Sequence, residues 1–320
     1  MATKCKTYTD DWGVTYDDYG RVLKEINPLL FTCEEYAIPE GVEIMEGAFW
    51  LVKKKPRKVR LPSTLRKMEA NTFIRCPLEE LELPEGITEV PEYMCESCED
   101  LKKVVLPSTI KKITIGAFNC CLKLQEINLP DGLMYVEDGT FRYCESLKQV
   151  QLPSRLETIS PEMFYCSGIE TIEIPEHITK IGYWAFWGCN HLRRLIIPEN
   201  VRIIDYGIVS AHEGFEGIVC HAKGCHVEND ALIDDEKHEL LCCWTQQTHY
   251  VVPESVKRIG DLGGNDFVET ITVKQHVEAN SDTFASDTNL KRIDFLGGVS
   301  GINKESFWNC PQLDKSNIMM

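Results

Sequence analysis

Long apolar runs are missing from this sequence, and no stretch approaches the roughly 18 consecutive apolar residues that a membrane span needs. The opening residues, MATKCKTYTDDWG, carry no apolar signal core. No membrane insertion is expected, and the expected location is cytoplasmic, with surface display or secretion as the alternative if a signal is missing from this chain. Basic residues are also scarce, with 34 Lys and Arg against 50 Asp and Glu and a formal net charge of -16. No nucleic-acid partner is expected, because phosphate binding needs clustered cations that release counterions. There is no glycine-rich phosphate loop, since Leu262-Gly-Gly-Asn265 and Leu296-Gly-Gly-Val299 lack the strand-to-helix setting of a nucleotide site. No oxyanion-binding motif is recognisable either. The expectation is a chain that is not an enzyme and takes no cofactor.

What the sequence has in abundance is one sentence, repeated. Pro39, Pro62, Pro84, Pro107, Pro130, Pro153, Pro175 and Pro198 stand 22 or 23 residues apart, and such a period is the signature of a repeat solenoid. In the copy LKKVVLPSTIKKITIGAFNCCLKL, Leu101, Val104 and Leu106 end in an apolar/polar alternation that predicts a short strand. Pro107 closes it, because proline lacks the N–H that a ladder interior requires. Ile110, Ile113, Phe118, Cys121 and Leu124 are predicted to face inward. The same columns recur as Leu65, Met68, Phe73 and Cys76, as Leu133, Val136, Phe141 and Cys144, and as Ile178, Ile181, Phe186 and Cys189. One coil cannot bury such a stripe, so the coils are expected to stack, with their strands in a parallel sheet. Fifteen cysteines are present, and Cys76, Cys98, Cys121, Cys144, Cys166, Cys189 and Cys310 fall in one repeat column. That placement predicts buried reduced thiols rather than disulfides.

Two stretches depart from the period. Residues 1–32 contain VTYDDYGRVLKEI, two alternating runs around Asp17-Asp18-Tyr19-Gly20, and predict a hairpin cap. Residues 227–249 contain ALIDDEKHELLCCW, where Ile233-Asp234-Asp235 and Leu240-Leu241 match Tyr16-Asp17-Asp18 and Val22-Leu23. The expected organisation is therefore a cap at 1–32, a repeat block at 33–226, a cap-like junction at 227–249 and a second repeat block at 250–320.

The phrases IPEGVEIMEGAF, LPSTIKKITIGAFNCCLKLQEINLP and IPEHITKIGYWAFWGCNHLRRLIIP resemble the BspA-like leucine-rich repeat family, whose unit reads LPxxLxxIxxxAFxxCxxLxxIxL. The resemblance implies a right-handed curved solenoid with a parallel β-sheet on its concave face and loops with short helical turns on its convex face. It also implies a role in protein interaction, often on the surface of bacteria or protists.

Three constellations invite a functional reading. Outward strand pairs alternate in sign from coil to coil (Glu34-Glu35, Arg57-Lys58, Glu79-Glu80, Lys102-Lys103), an arrangement that specifies register by placing opposite charges side by side. The alternation lapses at Arg194, Ile196 and Val219, the candidate contact residues of the concave sheet. Aromatic residues at and beside the position after the core phenylalanine, Tyr143, Tyr165, Trp184 and Trp187, are the candidate convex contact, because aromatic side chains dominate binding hot spots. The third is the junction, with Cys220, His221, Cys225, His226, His238, Cys242, Cys243 and His249. Its spacing matches no zinc template, and Cys242 and Cys243 alternate faces on a strand, so no metal site is expected. The expected function is a non-catalytic protein-interaction scaffold. The alternatives are a secreted or surface adhesin of the same fold and, from another class, a zinc- or thiol-dependent enzyme centred on Cys225 and Cys242.

Overall fold

The alternation at Leu101–Leu106 becomes the strand Lys103–Val105, with Leu101, Val104 and Leu106 buried. The structure is a computed structural model, and it describes residues 7–17, 19–280, 283–303, 305–314 and 318–319. Asp18 of the first expected turn, residues 1–6 of the expected cap, and residues 281, 282, 304, 315–317 and 320 of the last expected block lie outside the described residues. Contacts divide the chain after Glu157, with Cys166–Ile169 joining the first of two compact units. The boundaries expected at 226/227 and 249/250 both fall inside the second unit.

Each unit is a parallel β-solenoid. In the first, the strands Thr7–Thr9, Val14–Asp17 and Val22–Ile26 form an antiparallel meander. The Asp17 carboxylate accepts the Arg21 and Val22 N–H groups at 2.7 and 3.0 Å, which ties the hairpin turn. The third strand of the meander then opens a parallel ladder with Ile44–Met45 and Lys67–Met68. Glu89–Val90, Lys112–Ile113 and Tyr135–Val136 form a further ladder of the same kind. The proline-marked strands Glu35–Ala37 and Lys58–Arg60 pair in parallel, as do Glu80–Glu82, Lys103–Val105 and Glu126–Ile127.

Most coils therefore carry two strands where the sequence pattern predicted one; the strands expected before Pro153 and Pro175 are not formed, and those two coils keep only Thr158–Ile159 and Lys180–Ile181. Ile110 and Ile113 read only as inward positions, because a two-residue strand such as Lys112–Ile113 buries a single side chain and shows no alternation. The third side of the coil is built mainly of turns. Among the described residues the only helices are the 3-10 turns Phe49–Leu51 and Glu305–Phe307, so the short helical turns expected there are sparse. On this side too, backbone groups join successive coils: Phe73 N–H to the Met94 carbonyl at 2.8 Å, Cys95 N–H to Ala117 at 2.8 Å, and Phe118 N–H to Thr140 at 3.1 Å.

The second unit repeats the plan. Thr158–Ile159, Lys180–Ile181 and Ile203–Ile204 form one parallel ladder, and Arg194–Ile197 pairs with Gly217–Cys220. A second antiparallel meander follows, Cys225–Glu228, Ala231–Asp234 and Glu239–Cys243, with Asp234 accepting the Glu236 and Lys237 N–H groups. Its last strand opens the parallel ladder of Arg258–Ile259, Val277–Ala279 and Val299–Ser300. The other face carries His249–Val251, Thr270–Val273, Arg292–Phe295 and Ile318–Met319.

The core is the stacked column set. Ile110, Ile113, Phe118, Cys121 and Leu124 are fully buried, and the phenylalanines stack ring on ring, 6.0 Å between Phe118 and Phe141 and 5.6 Å between Phe164 and Phe186. Truncating one such leucine or isoleucine to alanine costs about 2–5 kcal/mol through the cavity left behind.

Candidate functional site

The cysteine column does more than fill space. The thiol of Cys98 donates to the Phe73 carbonyl at 2.9 Å, Cys121 to Cys95 at 3.1 Å, Cys144 to Phe118 at 3.2 Å, Cys189 to Phe164 at 3.0 Å and Cys310 to Phe284 at 2.9 Å. Each of these thiols clips its coil to the preceding one. Among the described residues no cysteine is joined in a disulfide. One member was misaligned. Ser167 follows Phe164 by three residues, as Cys144 follows Phe141, and occupies the buried slot, whereas Cys166 is half-buried one position earlier with φ +52°. Cys310, at the other end, is also only half-buried.

The charged columns lie in the expected register. Lys103 stands between Glu80 and Glu126, and Glu35 beside Lys58. Glu79 holds Lys102 at 2.9 Å and Arg57 at 3.5 Å, and the Lys102 hydrogen bond and charge hold its carboxyl below the ordinary range. Farther along, Arg194 pairs with Gly217 and Ile196 lies directly beside Val219. Ile196 is 51% exposed, an aliphatic side chain left in water.

The aromatic candidates separate. Tyr143 belongs to the first unit, where the Arg142 guanidinium lies 5.1 Å over its ring. Tyr165, Trp184 and Trp187 belong to the second. There Tyr165 and Trp187 stack at 5.0 Å, and Trp184 meets Tyr206 edge-on at 6.2 Å and donates its indole N–H to Asp261 at 3.2 Å. Tyr183 and Tyr206 pack at 4.7 Å; the sequence reading missed both, because they fall outside the column after the phenylalanine. Trp184 and Trp187 are half-buried and lean over glycines. A Cβ at Gly207 would come within 2.5 Å of the Trp184 ring, and one at Gly264 within 2.5 Å of the Trp187 ring. Much of their surface is spent inside the chain.

The junction thiols are held away from reactivity. Burial pushes Cys225 up to about 12 and Cys242 well above the ordinary thiol range, the reverse of the depressed value that makes a thiolate nucleophile. Cys243 faces the core around Tyr250 and Val252, a cluster in which Cys242 has no place, so the two do take opposite faces. His226 bonds Asp235 through Nδ1 at 2.5 Å and approaches Glu228 through Nε2 at 3.6 Å. Among the described residues, no group of three or more His, Cys, Asp or Glu is placed to hold a metal ion, and no helix is long and apolar enough to cross a membrane.

A two-strand coil, a phenylalanine stack and a thiol clip recur through the chain. The family model described as the BspA type leucine rich repeat region matches residues 30–133, 111–232 and 248–320, with 6 copies. The chain belongs to the BspA-type leucine-rich repeat family. Among solved structures, this BspA-type chain is similar to a leucine rich cell surface protein from Faecalibacterium prausnitzii, with 18% identity, a TM-score of 0.65, and 98% of this chain and 89% of that chain covered. A leucine-rich repeat protein from Bacteroides ovatus matches at 20% identity and a TM-score of 0.54, covering 98% and 93%. The pneumococcal vaccine antigen PcpA matches at 14% identity and a TM-score of 0.50, covering 98% and 81%. These likenesses establish the fold. No curated protein matches the BspA-type chain.

Proposed function

We propose that this BspA-type chain is a protein-binding solenoid of the adhesin kind, which contacts its partner through Arg194, Ile196 and Val219. The observation that carries the reading is Ile196, which is half exposed beside Val219 in the middle of a parallel ladder. An exposed aliphatic pair is the kind of centre around which a binding hot spot forms, with Arg194 as its polar rim. Tyr165, Trp184 and Trp187 are a weaker surface, because the two tryptophans already pack over glycines of the same unit, and Tyr143 belongs to the other unit. The description of one structural neighbour as a cell surface protein and of another as a vaccine antigen favours the adhesin reading over the cytoplasmic one. Catalysis at Cys225 and Cys242 draws no support from thiols raised by burial.

The test is affinity capture with wild type, Ile196→Glu and Trp184→Ala/Trp187→Ala, combined with fractionation of the source cells. Ile196→Glu is expected to lose the captured partner, the tryptophan pair to keep it, and the protein to be recovered with the cell envelope or outside the cell. Retention of every partner by Ile196→Glu overturns the proposed contact. Recovery only in the cytoplasm overturns the adhesin reading.

A further inference from the structure

The proline-marked face of the first unit carries a groove of about 990 Å³, lined by charged residues from Glu34, Glu35, Arg57, Lys58 and Arg60 to Glu79, Glu80, Glu82 and Lys103. Two columns of charge run along it with different fates. In the outer column the charges satisfy one another: Glu34 with Lys54 at 3.2 Å, and Glu79 with both Arg57 and Lys102. In the inner column, Glu35, Lys58, Arg60, Glu80 and Glu82 make no side-chain ion pair among the described residues, although register sets Glu35 beside Lys58 and Ala37 beside Arg60. The strand of Lys58–Arg60 abuts that of Glu80–Glu82. The groove floor thus presents three unpaired rows, acidic, basic and acidic, followed by a row where Lys103 is engaged by Glu126 at 3.2 Å and Val105 is exposed.

The spacing of these rows selects the shape of a partner. Paired parallel strands lie about 4.8 Å apart, which sets the step from the Glu35 row to the Lys58 row. The Lys58–Arg60 and Glu80–Glu82 strands abut without ladder pairing, so the second step is at least about as long. Complementary charges must alternate in sign at about these intervals along one line. An extended chain repeats a side chain on the same face only every ~6.6–6.8 Å. A polyproline helix does so only once per turn of about 9.3 Å. An α-helix rises 1.5 Å per residue, so positions i, i+3 or i+4, and i+7 share one face at an average step of about 5.25 Å. At the paired step the mismatch is about 0.45 Å, and a longer second step moves toward the helical one; long Lys and Glu side chains absorb such differences.

We infer that this groove takes an α-helix of a partner protein whose contact face reads basic, acidic, basic at i, i+3 or i+4, and i+7, with an apolar residue one turn further on over Val105. The inference rests on the protein-binding reading above and concerns a different face of a different unit. Charged side chains in such an arrangement fix register and orientation.

The test uses the full chain and helix-stapled peptides of about two and a half turns. One carries Lys, Glu and Lys at i, i+4 and i+7, one is charge-reversed, one is a scramble, and an unstapled version of the first contains a central proline. The stapled Lys-Glu-Lys peptide is expected to bind at least tenfold more tightly than the reversed and scrambled peptides, with affinity falling as salt rises. Lys58→Glu/Arg60→Glu is expected to abolish that preference and to favour a stapled peptide with Lys at all three positions, a gain that an unfolded variant would not show. Equal binding of the matched and reversed peptides, failure of both to bind, an unchanged preference in the double variant, or equal binding of the proline-broken peptide each overturns the inference. Loss of partner by Ile196→Glu with no peptide discrimination would refute this inference alone.

Discussion

Replacing Gly207 by alanine separates backbone strain from side-chain packing at the aromatic cluster of the second unit. Gly207 sits at φ +69°, a conformation that costs a residue with a Cβ about 1–2 kcal/mol. Its added carbon would run into the Asp261 carboxylate and come within 2.5 Å of Trp184. Neither neighbour yields easily, because Asp261 also accepts the Gly263 N–H at 2.7 Å and the Trp184 indole N–H at 3.2 Å. Overpacking of this kind adds about 1–3 kcal/mol, so the expected loss is about 2–5 kcal/mol in all. Gly214 provides the control, with φ +86° and nothing within 4 Å of an added Cβ; Gly214→Ala should lose only the backbone part, about 1–2 kcal/mol. Urea unfolding followed by tryptophan fluorescence measures both. If Gly207→Ala costs no more than Gly214→Ala, the packing of Trp184 against Gly207 is not what holds this cluster.

Further expectations concern buried polar groups. Burial raises Asp287 well above the ordinary carboxyl range while its Oδ1 accepts the Asn265 N–H at 2.8 Å. Its contribution to stability is complete below the ordinary carboxyl value near 3.8 and is lost as pH rises through the raised native value. Asp287→Asn should therefore gain on wild type between pH 5 and pH 8 by denaturant titration, and an advantage that shrinks with rising pH would contradict the assignment. With Cys225 pushed up to about 12, its thiolate fraction at pH 8 is about a thousandfold below that of an ordinary thiol. Alkylation mapped by mass spectrometry should find it slow at pH 8 and climbing far into alkali, whereas labelling at the rate of a free thiol would overturn that environment. Cys121→Ala removes one thiol clip to the Cys95 carbonyl and should cost about 1–2 kcal/mol from the lost hydrogen bond and small cavity; unchanged stability would reduce the thiol to filler.

Much of the architecture was legible because period and alternation are one-dimensional signals. The proline spacing located most of the proline-marked strands, failing before Pro153 and Pro175, and the matching Asp17 and Asp234 turns are directly visible as two related hairpins. The second ladder was not legible, since Lys112–Ile113 is too short to alternate. The slip of Cys166 for Ser167 was missed because the column was followed by residue type rather than counted from the core phenylalanine. For the candidate sites, adjacency of Ile196 and Val219 followed from register alone. The half-burial of Trp184 and Trp187 did not, because it depends on the absence of a Cβ at Gly207 and Gly264, far along the chain.

The amino-acid order by itself determined that this chain coils and stacks, because a stripe of buried columns at a fixed period has no other way to leave water. It also determined which charges are neighbours, since a parallel ladder places equivalent positions side by side. The tertiary structure alone decided which charges remain unpaired, which aromatic faces are covered and which thiols reach a carbonyl. Those outcomes depend on side-chain reach between coils in three dimensions, and spacing along the chain carries no information about reach.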